Sequence, residues 1–214
     1  MTSTLTGHDY RELFESLGRP LTADDGIPEA SIAAAEERLG SRIPDTLRAF
    51  YRVAGRATDF LDSYDHFEPP DAWEIHDGKL YFLAENQAVV LYAADLDSGS
   101  ADPPIVMTSN REPYTWHVVC PTCSEFLSAM TCFEGSFGGA MYAVGSALVG
   151  ESFRQTLERD FQPVGEVNAM WAYQQPGLAV CFLESAEGWE IFVGAADDAA
   201  ISKIQQYVDI RMES

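Results

Sequence analysis

Histidine and cysteine at short spacing are the residues best suited to chemistry in this chain. His117 is followed by Cys120-Pro121-Thr122-Cys123, with Cys132 further on, so one imidazole and three thiolates stand at the spacing of a tetrahedral zinc site. Structural zinc sites usually bring two separated close pairs, and the second pair is missing here, so the same spacing also fits small buried thiols. No Gly-x-Ser-x-Gly elbow, phosphate-binding Lys loop or His-Glu-x-x-His is present. The stretch Gly135 to Gly139 lacks the lysine and the preceding strand that phosphate cradling needs, and reads as a flexible turn.

His66-Phe67-Glu68 taken with Cys120 and Cys123 is similar to the zinc deaminases, in which a His and two Cys hold the metal and a Glu moves protons. That pattern wants a proline directly before the first cysteine, where Val119 stands, and a helix entered through His-x-Glu. Pro70 opposes such a helix, because a residue preceding proline avoids the α conformation. A zinc-dependent hydrolase or deaminase using His66, Glu68, Cys120 and Cys123 is the alternative reading; the preferred one is a non-enzymatic protein with no cofactor.

A second pattern is acidic. From Asp59 to Asp77 an acid falls at every third position, Asp59, Asp62, Asp65, Glu68, Asp71, Glu74 and Asp77, with no Lys or Arg among them. A spacing of three aligns side chains in an extended polyproline-type stretch, which Pro69-Pro70 permits locally. This predicts a ledge for a cationic partner, with Tyr64, Phe67 and Trp73 as aromatic anchors of the kind that dominate binding energy. The partner-binding residues expected are Asp59, Asp62, Tyr64, Asp65, Phe67, Glu68, Asp71, Trp73 and Glu74. The competing reading is a solvated loop whose periodicity is accidental.

The elements that must position these residues follow from local signals. Tyr10 to Leu17 predicts a short amphipathic helix, and a second starts near Pro28, carries Ile32, Ala35 and Leu39 on one face, and stops at a left-handed Gly40. A third follows Ile43-Pro44 with Leu47, Phe50, Tyr51 and Ala54 in one stripe and ends at Gly55. The period then changes. Trp73 to His76 and Lys79 to Leu83 flank Asp77-Gly78 as a two-residue hairpin, and Ala88 to Tyr92 supplies a third strand. Ile105 to Thr108 and Thr115 to Val119 are further strands, and Ser124 to Phe133 is helical. A helix from Ser152 to Arg159, a hairpin of Leu178 to Leu183 with Trp189 to Val193, and a closing helix through Ile201, Ile204 and Val208 complete the chain. Helices, then hairpins, then helix and hairpin again is the order of an α+β fold with helices packed against a mainly antiparallel β-sheet.

Bulk composition sets the limits. The chain has 214 residues, 46% of them apolar and 22% charged, which is an ordinary globular composition. Thirty-four acids against thirteen bases leave a formal charge of -21, a field that repels nucleic-acid phosphates and anionic lipids and attracts cationic proteins. Nucleic acid and membrane are therefore not expected partners. Met1 to Asp9 has neither a basic start nor an apolar run, and the longest apolar run, Ala88 to Ala94, is far shorter than the roughly 20 residues of a spanning helix. A cytoplasmic location with reduced thiols is the expectation.

The segment from Ile27-Pro28-Glu29 to Ala54-Gly55 resembles the opening of the SMI1/KNR4 (SUKH) superfamily. Its Glu-x-x-Leu-Gly helix end lies at Glu36 to Gly40, its Ile-Pro start at Ile43-Pro44, and its Leu-Arg-x-Phe-Tyr helix at Leu47 to Tyr51. The family's strand, Glu-Asn-Gln, strand unit is met by Leu80 to Leu83, Glu85-Asn86-Gln87 and Val89 to Tyr92. Later segments are met by Asp102-Pro103-Pro104-Ile105 and Ser124 to Leu127. The best-matching core is 27–133 of a single domain over 1–214, with 136–214 as a C-terminal extension that completes the sheet or forms a second lobe. The resemblance implies a SUKH-like fold and, in bacteria, an immunity protein that binds and neutralises a cationic toxin, often a nuclease. Because it extends to eukaryotic regulators, a regulatory scaffold is a third reading.

Overall fold

The helices begin and end where backbone chemistry demands. In the computed structural model, which describes residues 7–213, α1 (Gly7–Ser16) is followed by α2 (Glu29–Leu39), entered through Pro28 and closed by Gly40 at φ 64° with its N–H on the carbonyl of Glu36. The expectation drawn from Met1 to Asp9 rests mostly on 1–6, which lie outside the described residues. α3 (Asp45–Ala54) follows Pro44 and buries the expected stripe of Leu47, Phe50, Tyr51 and Ala54, and Val53 besides. A single turn, α4 (Thr58–Leu61), then drives Phe60 and Leu61 into the core.

The first sheet is an antiparallel meander. β2 (Glu74–His76) and β3 (Lys79–Ala84) are joined at Asp77-Gly78, whose φ values of 50° and 71° suit the expected two-residue turn. β4 (Val90–Asp95), β5 (Ile105–Ser109) and β6 (His117–Cys120) follow in order, while the short β1 (His66–Phe67) pairs with the far end of β3. β4 starts later than expected. Ala88 takes φ 54°, and the Glu85 carboxylate accepts the amides of Gln87 and Val89, so Glu85 to Val89 forms the turn.

α5 (Cys123–Phe137) is the organising element. Thr122 caps it, and Asp102 accepts the Ser124 amide at 2.8 Å and the Ser124 hydroxyl at 2.6 Å. The helix does not stop at Phe133. It continues through Gly135, where the flexible turn was expected, because the absence of side chains lets two backbones meet: a Cβ on Gly194 would overlap the carbonyl oxygen of Gly135.

Beyond α5, β7 (Ala143–Leu148), α6 (Phe153–Asp160), β8 (Gln162–Val167), β9 (Met170–Gln175), β10 (Leu178–Ser185), β11 (Gly188–Ala195) and α7 (Asp198–Ile204) build a second antiparallel sheet in the order β7-β11-β10-β9-β8. One face packs on α5: Ala172, Ala179 and Cys181 join the same core as Phe82, Phe126 and Cys132. The other face buries Val180, Phe182, Ile191 and Val193 with Leu157 of α6 and Ile204 of α7. The chain is thus α+β, with α5 between two mainly antiparallel sheets. Among the described residues no helix is long and apolar enough to cross a membrane.

Candidate partner-binding face

The acidic segment does not run as an extended ledge. It passes through α4, a turn, β1, Pro69-Pro70 and β2, and each change of direction sends its acids to different places. Asp59, Asp62, Asp71 and Glu74 are exposed and Tyr64 is 38% exposed, whereas Phe67 and Glu68 are half-buried. Asp65 is only 3% exposed and Trp73 is wholly buried.

Trp73 is a core residue rather than a surface anchor. Its ring stands edge-on to Tyr51 at 4.8 Å, and its Nε1–H donates to the carbonyl of Glu68 at 2.9 Å. Phe67 packs on Phe50 with ring centres 5.7 Å apart. The Glu68 carboxylate accepts the Tyr81 hydroxyl at 2.9 Å. Glu74 pairs with His76 at 2.9 Å, and Asp59 takes Arg19 at 2.7 Å. Asp62 pairs with His66, which holds the imidazole pKa above its ordinary value.

The turn from Asp62 to Asp65 is pinned from inside by Glu134 of α5. This fully buried carboxylate accepts the Ser63 hydroxyl at 2.8 Å, the Tyr64 amide at 2.9 Å and the Asp65 amide at 3.1 Å. Burial pushes its pKa up to about 7 against the pull of those donors. Asp65 Oδ1 accepts the Asn86 amide at 3.0 Å, and burial raises Asp65 to about 6. With the turn held, the Tyr64 ring lies 4.3 Å from Phe137, which stacks on Phe192 of β11 at 4.6 Å, and Phe133 fills the angle between Tyr64 and Phe137. One exposed tyrosine therefore crowns an aromatic row that crosses from the acidic segment to the second sheet.

Sequence reasoning missed Glu134, Phe137 and Phe192. Phe133 and Phe137 stand four residues apart, the spacing of one helix face, but a helix ended at Phe133 hides that signal. Phe192 sits in a hairpin recognised as such, and nothing local says which face it serves.

The cysteines do not form a metal centre. Cys120, Cys123, Cys132 and Cys181 are all buried free thiols. Burial pushes Cys120 and Cys181 up to about 12 and holds Cys123 and Cys132 well above the ordinary thiol range, so none is a ready thiolate. Among the described residues no three His, Cys, Asp or Glu side chains gather to hold a metal, so neither His117 with its cysteines nor His66 and Glu68 with Cys120 and Cys123 makes a ligand set.

Two antiparallel sheets sharing one central helix, with an acidic and aromatic face where they meet, define an α+β protein of a class set by its helical opening and meander. Residues 26–129 match the model of the SMI1/KNR4 family (SUKH-1), just under half of the chain, from the residue before Ile27-Pro28 to the middle of α5. Over this segment the chain is similar to the SMI1/KNR4 family, as its helical opening and meander lead one to expect. No curated protein and no solved structure matches it.

Proposed function

We propose that this chain is a non-enzymatic cytoplasmic binding protein of the immunity type, which captures a cationic protein toxin and blocks it without a cofactor. The observation that carries the reading is the family match over 26–129, since proteins of this family commonly serve in immunity. The formal charge of -21 supports it, because a nuclease toxin carries a basic surface to hold nucleic acid, and opposite charge raises the rate of encounter. Asp59, Asp62, Asp71 and Glu74 are exposed along the segment that carries Tyr64, and together they offer that surface charge and an aromatic anchor. Phe67, Glu68 and Trp73 serve the same segment from behind by packing and hydrogen bonding that hold it in place.

The experiment is affinity capture from a lysate of the source organism, followed by salt titration of the retained protein. Retention of a basic toxin-like protein, with association slowing steeply as ionic strength rises, is the expected outcome. A neutral partner held regardless of salt, or none at all, sinks the reading.

A further inference from the structure

Two buried aspartates in this chain are treated differently. Asp25, 8% exposed, is neutralised by Arg19 at 2.7 Å and accepts from Thr22. Asp65 is more deeply buried at 3% exposure, but among the described residues it forms no ion pair with a Lys or Arg, and only its Oδ1 has a hydrogen-bond partner, the Asn86 amide. A buried carboxylate without a cation is costly, and such groups are ordinarily paired.

Asp65 lines an open cavity of about 360 Å³ at the seam between the two sheets. This is near the small end of the roughly 300–1,000 Å³ typical of ligand sites. Met130 and Phe133 of α5, Met170 of β9 and Leu183 of β10 supply apolar walls, and Glu184 stands exposed at the rim. No Lys or Arg lines it. The titratable neighbours of Asp65 are Glu85, Glu134 and Tyr92, which add no positive charge, and His66, which Asp62 already holds. Tyr64, the residue before Asp65, has its ring 5.6 Å from that of Phe133 in the wall.

We propose that this cavity receives the side chain of an arginine or lysine presented by a protein partner, the cationic head at Asp65 and the methylene stem against Met130, Phe133, Met170 and Leu183. The assignment rests on the proposed capture of a cationic protein and names the contact that anchors it. A cavity with apolar walls, a buried acid at Asp65 and a second acid at Glu184 matches a long apolar stem that ends in a cation, and Arg and Lys alone have that build. The chain thus supplies its own arginine at Asp25 and leaves the place at Asp65 to its partner.

The test uses the full chain with ¹³C-methyl-labelled methionine, so that Met130 and Met170 report from the cavity walls. The probes are a blocked Gly-Arg-Gly peptide, its citrulline counterpart of nearly equal shape without charge, and agmatine, the same cation without a peptide. The arginine peptide is expected to shift both methyl signals and the citrulline peptide to leave them in place. Asp65→Asn, which keeps the acceptor for the Asn86 amide, is expected to weaken the response by roughly 30-fold or more. Equal shifts from the two peptides, or none from either, overturn the proposal on the wild-type protein alone. Agmatine acting at lower concentration than the peptide also overturns it, in favour of a free amine. A basic partner captured equally by wild type and Asp65→Asn removes the cavity from recognition while the capture reading stands. If no basic partner is captured, that reading fails and the peptide shifts still decide the cavity.

Discussion

At the scale of single residues, burial separates side chains that the sequence places in one series. Asp65 has its pKa raised from 3.8 to about 6 by burial, so between those values the folded protein keeps a proton that the unfolded chain has released. Stability therefore falls as pH rises through that window, and the full cost stands above it. Asp65→Asn is expected to raise stability at pH 8 by about 1–2 kcal/mol, allowing for solvent screening, with the gain gone near pH 4. Urea melts at the two pH values check this, and a gain that persists at the acid end would refute it. Tyr64 and Trp73 divide in the same way. Trp73→Ala removes a wholly buried ring and should cost about 3–5 kcal/mol, whereas Tyr64→Ala should cost about 1 kcal/mol or less and yet weaken partner capture. Thermal melts alongside capture assays separate the two roles.

At the scale of elements, α5 decides the architecture because its backbone, not only its side chains, is in contact. A Cβ on Gly135 would come within 2.9 Å of the Phe60 ring and 3.1 Å of Ala179, and one on Gly194 would meet the Gly135 carbonyl. Helical propensity favours alanine over glycine by about 1 kcal/mol, and here that preference yields to close packing. Gly194→Ala is expected to destabilise the protein by roughly 1–3 kcal/mol, while Gly150→Ala, which meets nothing closer than 3.6 Å, should be nearly neutral. Chemical denaturation of the two variants decides it; equal midpoints would mean that the α5–β11 contact carries no weight.

At the scale of the whole molecule, the two sheets share one core. Phe126 of α5 packs on Phe82 and Tyr92 of the first sheet, and Ala172, Ala179 and Cys181 of the second sheet belong to the same apolar cluster. Unfolding is accordingly expected to be a single transition. Trp73 reports on the first sheet and Trp171 on the second, so ¹⁹F-labelled tryptophan followed through a urea titration should show coincident midpoints. A second sheet that melts separately would show instead that α5 is a joint between independent units.

The sequence alone determined the features that depend on a few neighbouring residues: Pro28 and Gly40 around α2, the apolar stripe of α3, the Asp77-Gly78 hairpin, and the strands β3, β5, β10 and β11. These follow from allowed backbone angles and from side-chain period, which a short window contains. β8 was hidden by Pro163 and Gly165, and the turn into β9 by Asn168-Ala169, which takes positive φ at both positions without a glycine. What only the tertiary structure decided is the face each acid presents. Asp62 and Asp65 are identical in composition and spacing, but Glu134 reaches from α5 to the backbone between them and turns one outward and the other in. Burial is set by contacts between residues far apart in the chain, and no local pattern encodes it.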